Sequence, residues 1–293
     1  MKKWVGMVVI LLALAVPGFA AQQIGVVATI APLAEFVKEV GGERVFLTIM
    51  VPPGASPHTY EPTPGQLKAL GRAKLYVKVG SGIEFERVWL DKVLAVNRTL
   101  SVCDASRGVE LIEQAKHRHG DHPHQRKDSV DSGQDPHIWT SPANAITMTQ
   151  NICDGLIAID PENEAHYRAG AEAYIQKLRD LKSRITKDLE TAQSRKFMVF
   201  HAAWGYFARE FSLEQIALEV GGKEPSARDM TRLIRTAREH QISIVFAEPQ
   251  FNAKSAQIIA KAIGGRVVLL DPLAENYLDN METMAAAVAG SLK

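Results

Sequence analysis

The sequence predicts an α/β fold of two similar lobes with mainly parallel sheets, bridged by one long rigid helix. Three observations carry that prediction. In each half, short apolar runs rich in β-branched residues alternate with stretches of helical spacing, the pattern of parallel strands covered by helices. Between the halves, Pro161–Ala192 holds Tyr167, Ala171, Tyr174, Leu178, Leu181 and Ile185 at three- and four-residue spacing, with no internal proline. Finally, EPTPGQLKALGRAKLYVKVG (61–80) and EPSARDMTRLIRTAREHQISIVF (224–246) both run from Glu-Pro into a helix and then a strand, a local echo between the halves.

The elements follow in chain order. MKKWVGMVVILLALAVPGFAAQQ has a positive start at Lys2 and Lys3, an apolar run Val5 to Val16 and a small-x-small cleavage site at Gly18-Phe19-Ala20. It reads as a secretory signal peptide over residues 1–20, cleaved near Ala20 and too short for a transmembrane anchor, so a periplasmic location is expected. No cysteine follows it to carry a lipid. The N-terminal lobe is assigned to residues 21–160. Ile24–Thr29 reads as a buried strand, Ala31–Val40 as a helix stopped by Gly41-Gly42, and Val45–Val51 as a strand ending at Pro52-Pro53-Gly54. Gln66–Leu70 reads as helix and Leu75–Val79 as strand.

Residues 161–193 are assigned to the linking helix, with Pro161 in its first turn. Thirty residues at ~1.5 Å each would span roughly 45 Å. The C-terminal lobe, 194–293, repeats the order: Phe197–Phe200 strand, Trp204–Phe211 helix, a break at Gly221-Gly222, Asp229–His240 helix and Ile242–Phe246 strand. Ala256–Ile263 is read as helix and Val267–Leu270 as strand.

Composition narrows the function classes. The 293 residues are 46% hydrophobic and 23% charged with a formal net charge of +1, which gives no electrostatic reason to expect nucleic acid or an anionic membrane as partner. Cys103 and Cys153 are too few for a disulfide framework or a cysteine-built zinc site; one bridge or two buried free thiols remain open. No Gly-x-Ser-x-Gly, phosphate-binding glycine loop or His-Glu-x-x-His occurs.

Four residues fall at or near the C-terminal ends of predicted strands, where open α/β sheets bind ligands. His58 follows Val45–Val51, His137 stands in DPHIW, His201 follows FMVF, and Asp271 follows VVLL. Two come from each part of the chain on either side of the helix's midpoint region, as an interlobe cleft requires. Three imidazoles and one carboxylate suit tetrahedral Zn²⁺, and a filled tetrahedron leaves no position for the water of a catalytic centre. Mn²⁺ would favour more carboxylates. Glu61, Glu219 and Glu248 compete as carboxylate ligands. Trp139 and Trp204 are candidates for a dry wall, or for ordinary core.

The combination ATIAPLAEFVKEVGG, PPGASPHTYEPTP, DPHIWTSP, FHAAWGYFAREF, EPSARD, FAEPQF and VVLLDPLA resembles the zinc/manganese-type solute-binding proteins of bacterial ABC importers, from about residue 24 to the C-terminus. The resemblance implies two α/β lobes on a long rigid helix and one metal between them. It implies a monomer that binds and does not catalyse, delivering metal to a membrane permease driven by a cytoplasmic ATPase. Carried over residue by residue, the ligands fall on His58, His137, His201 and Asp271. Manganese-preferring members tend to have a carboxylate where His201 stands, so Zn²⁺ is expected and Mn²⁺ is the alternative. Lipid-anchored relatives include adhesins, and the missing lipid-attachment cysteine argues against surface anchoring here.

Residues 113–134 form a His-rich insertion in which His117, His119, His122 and His124 join Asp121. Its composition reads as a mobile loop, serving either as a weak zinc collector or as a solvated insertion. A zinc hydrolase is the rival reading from another class; it needs an open coordination position and a base such as Glu61 or Glu248.

Overall fold

The computed structural model describes residues 23–113, 133–219 and 223–292; residues 1–20, read above as a leader, His117–His124 and Gly221-Gly222 lie outside the described residues. β1 (Ile24–Ile30) buries its last five residues and pairs in parallel with β2 (Val45–Val51) on one side and β3 (Leu75–Lys78) on the other. β4 (Ser101–Asp104) adds to β3, giving the order β2-β1-β3-β4. The intervening helices are α1 (Ala31–Gly41), α2 (Pro64–Leu70) and α3 (Glu84–Val96). α1 buries Leu33, Phe36, Val37 and Val40 and stops where Gly42 takes φ 55°, a conformation that only glycine adopts without strain.

After α4 (Pro142–Ile159) and a 3-10 turn at Pro161–Asn163 comes α5 (Glu164–Glu190). The linking helix is thus 27 residues, roughly 40 Å at ~1.5 Å per residue. Pro161 sits in the preceding turn rather than in the helix. The second sheet contains β5 (Lys196–Val199), β6 (Glu214–Ala217), β7 (Ile244–Ala247) and β8 (Arg266–Leu269), all parallel, in the order β6-β5-β7-β8. Its helices are α6 (Gly205–Glu210), α7 (Ala227–Glu239) and α8 (Lys254–Ala262), and α9 (Tyr277–Ser291) closes the chain.

The two sheets have the same strand order, and the sequence echo falls on equivalent pairs, α2–β3 and α7–β7. Both helices begin with a capping box, Thr63 with Gln66 and Ser226 with Asp229, in which side chain and backbone satisfy each other's free N–H groups.

The lobes are not separated by an empty cleft. One apolar core runs from β1 and α1 through Tyr174 and Leu178 of α5 to Trp204, Phe207 and Met284 of the second lobe, while a smaller core packs α7 and α8 on β5 and β7. α5 packs on α1, α4 and α9. Gly170 lets α1 approach: a Cβ there would lie 2.7 Å from the Val40 carbonyl oxygen and 2.8 Å from that of Glu39. Polar ties cross as well. Trp139 Nε1 donates to the Pro272 carbonyl at 2.7 Å, Tyr277 Oη to that of Trp139 at 2.9 Å, and Tyr206 Oη to that of Asp135 at 2.8 Å.

Cys103 and Cys153 are both buried and free. The Cys103 thiol donates to the Asn151 carbonyl, and burial pushes it up to about 12, so it remains a protonated, inert group. Among the described residues no helix is long and apolar enough to cross a membrane.

Candidate metal centre

The loops after β2 and β5 and the turn at Asp135–His137 converge where the lobes meet. His58 is carried on the β2–α2 loop, whose turn uses Gly54 at φ 81°. His137 follows Asp135-Pro136, and the Asp135 carboxylate folds back on it: Oδ1 accepts from the His137 backbone N–H at 2.9 Å and meets the ring Nδ1 at 2.8 Å. This is the Asx-turn geometry of a short acidic side chain. Ser81 Oγ and Thr140 Oγ1 pin the flanking carbonyls of Pro136 and His137. His201 leaves the end of β5, with its N–H directed to Glu248 Oε2 and its Nδ1 on Glu219 Oε1.

The three imidazoles form a group whose ligand atoms all lie within 4.8 Å of one another. Ring centroids are 5.0 Å apart for His137–His201, 5.2 Å for His58–His201 and 6.4 Å for His58–His137. His137 Nε2 and His201 Nε2 are 3.2 Å apart.

Each ring has a carboxylate on Nδ1: Glu84 for His58 at 2.9 Å, Asp135 for His137, and Glu219 for His201. A carboxylate can only accept there, so Nδ1 carries the proton, and a ring without a second proton presents the lone pair of Nε2 inward. Two buried lone pairs facing each other at 3.2 Å repel unless a proton or a cation lies between them. The edge of a tetrahedron with bonds of ~2.05 Å is about 3.3 Å, so the observed spacing fits Zn²⁺ held by both nitrogens. Carboxylates behind ligating histidines fix tautomer and orientation and raise basicity. The donor set fits the metal.

Asp271 stands outside this group. Its Oδ1 accepts from Gln250 Nε2 at 2.6 Å and from Leu273 N–H at 2.9 Å. Glu61 is exposed, and Glu219 and Glu248 sit behind His201 as supports. Burial pushes the Glu219 carboxyl up, but the hydrogen bond and charge of His201 outweigh it and hold the group below the ordinary range. Glu248, 1% exposed, goes the other way: burial raises it to about 8 against the pull of the His201 N–H. Its Oε1 has no hydrogen-bond partner among the described residues. Of two adjacent buried acids, the one backed by an imidazole takes the charge and the other keeps a proton.

Trp139, Phe251, Pro57 and Leu273 give the pocket an apolar wall, with Trp139 5.3 Å from the His137 ring and Phe251 4.9 Å from that of His201. Trp204 packs instead into the core beside Phe207. The sequence reading named the histidines but missed Glu84, Asp135 and Gln250. Asp135 had a signal, an Asp two residues ahead of a histidine in a Pro turn; Glu84 had none.

A pair of like lobes fixed on a rigid helix, with inward-facing imidazoles at the seam, is the architecture of a two-lobed binding protein built around a metal centre. Comparison with known proteins gives the particular family. The chain belongs to the zinc-uptake complex component A (ZnuA) family, described as periplasmic, whose family profile matches residues 26–290. It is 29% identical over 253 residues to the high-affinity zinc uptake system protein ZnuA of Bacillus subtilis, covering 85% of this chain and 78% of that protein. The zinc-binding protein AdcA of Streptococcus pyogenes is 28% identical over 87% of this chain, which spans only 51% of AdcA. A crystal structure of ZnuA superposes with a TM-score of 0.86 at 37% identity, covering 93% of this chain and 100% of that one.

Proposed function

We propose that this chain captures Zn²⁺ between its lobes and hands it to the membrane permease of an ATP-driven importer, as an exported, monomeric, non-catalytic carrier. The observation that carries the reading is the pair of carboxylate-braced imidazoles whose Nε2 atoms meet at 3.2 Å. His58, His137 and His201 supply three ligands. Asp271, whose Oδ1 is held by Gln250 and the Leu273 N–H, supplies the fourth. Four protein ligands fill a tetrahedral centre and leave no position for reactive water, which separates a carrier from a hydrolase. Of the bases considered for hydrolysis, Glu61 is exposed and Glu248 is tied to the His201 backbone. Three imidazoles to one carboxylate favour zinc over manganese. The leader over residues 1–20 delivers the chain to the periplasm.

The test is chelator-competition titration of the purified chain with Zn²⁺ and Mn²⁺, backed by elemental analysis. One tight zinc per chain is expected, with manganese bound more weakly. His201→Ala should weaken zinc by orders of magnitude while the fold persists; one zinc held as tightly as in the parent would refute the assignment.

A further inference from the structure

The three histidines are braced unequally. The His137–Asp135 pair is buried, its two side chains 5% exposed each, and the His201–Glu219 pair nearly so, at 8% and 7%. His58 and Glu84 are 28% and 51% exposed. His137 and His201 are also fixed through their backbones, each by an N–H to a carboxylate. His58 rides on a loop whose backbone hydrogen bonds, Ala55 to Pro52 and Thr59 and Tyr60 to Ser56, all close within the loop. Its ring reaches past that loop to Glu84.

Glu84 has a firm base. Two residues on, in the same first turn of α3, the buried Glu86 accepts from Thr29 Oγ1 and the Val79 N–H at 2.6 Å each and from the Gly80 N–H at 3.0 Å. That carboxylate nails the start of α3 to the ends of β1 and β3. Glu84 is therefore an exposed group on a rigid mount, aimed at the most exposed of the three imidazoles.

We propose that Glu84 is a positioning residue that sets how long the ion stays. The buried pair His137 and His201 forms the seat, His58 closes over it from the solvent side, and release begins when His58 swings away from Glu84. This rests on the reading of the three histidines as ligands. It assigns Glu84 to the dissociation step rather than to capture, because the ion meets the preformed pair first.

The experiment is stopped-flow zinc release into excess chelator for the parent, Glu84→Ala, His58→Ala and the double variant, with association rates and metal-free melting temperatures measured alongside. Loss of a carboxylate behind a metal-bound histidine typically costs about 10–100-fold in affinity. Glu84→Ala should place that factor in the off-rate, leave the on-rate within about threefold, and leave the metal-free melting temperature unchanged. In the His58→Ala background the same substitution should have no further effect, since a side chain acting only through His58 shows full coupling in a double-mutant cycle. If His58→Ala speeds release and Glu84→Ala does not, or if Glu84→Ala acts equally in both backgrounds, the proposal is overturned. If His58→Ala leaves binding and release unchanged, it is the ligand assignment that fails.

Discussion

Replacing Glu248 by Gln exchanges a buried carboxyl for a neutral amide of nearly the same shape. Burial raises the folded-state carboxyl from its ordinary 4.5 to about 8. Between those values the folded chain holds a proton that the unfolded chain has released, so this group's contribution to stability falls as pH rises. It is fully present below about 4.5 and lost as pH passes through about 8. At ~1.36 kcal/mol per unit, the loss between pH 4.5 and 7 is about 3 kcal/mol. The side chain is almost wholly enclosed, so solvent screening takes little from that figure. Glu248→Gln removes the dependence. Urea unfolding of the metal-free parent and variant from pH 4.5 to 8 should show two curves diverging, the variant gaining about 3 kcal/mol on the parent by pH 7. Zinc should narrow the gap, because a cation beside His201 favours the ionised acid. Parallel curves across this range would refute the argument.

Gly170→Ala sets a Cβ against the carbonyls of Glu39 and Val40 and must push α1 from α5. Calorimetry should show a loss of about 1–3 kcal/mol, the usual cost of overpacking. Trp139→Phe strands the buried Pro272 carbonyl and should cost about 1–3 kcal/mol in denaturant unfolding. Deleting His117–His124 should leave one tight zinc equivalent in titration and remove weaker binding only; loss of the tight equivalent would place a primary ligand in that cluster. Small-angle scattering should give nearly the same radius of gyration with and without zinc, since α5 has no internal proline to bend at and the core is continuous across the lobes; a fall of several ångströms would contradict this.

The elements legible in the sequence were those with strong local signals. α1 ends at a glycine with positive φ, α2 and α7 begin with capping boxes, and β1 and β7 are runs of buried apolar residues. The elements passed over lack such signals. β4 and β6 are four-residue edge strands with one buried residue each, too short to show a period. α3 and α9 start with no side-chain cap, and the buried face of α4 includes Thr149 and Asn151, which read as polar. Strand ends pointed to His58 and His201, whereas His137 follows no named strand among the described residues, only a turn after the isolated Glu113–Gln134 bridge. Such positions could not reveal that Asp271 is engaged by Gln250, nor that Glu84 meets His58, since both depend on how elements distant in the chain pack together.

Each histidine takes its carboxylate from its own side of α5, and only the Nε2 ends meet across the seam. An ion seated there is a removable crosslink between lobes that have no disulfide, both thiols being free. A ligand that binds only the folded chain stabilises it by about 4 kcal/mol at a thousandfold excess over Kd. Resistance to proteases should therefore follow metal supply, with empty molecules cleared sooner than loaded ones. The number of carriers surviving at any moment would then record how much metal had recently been within reach.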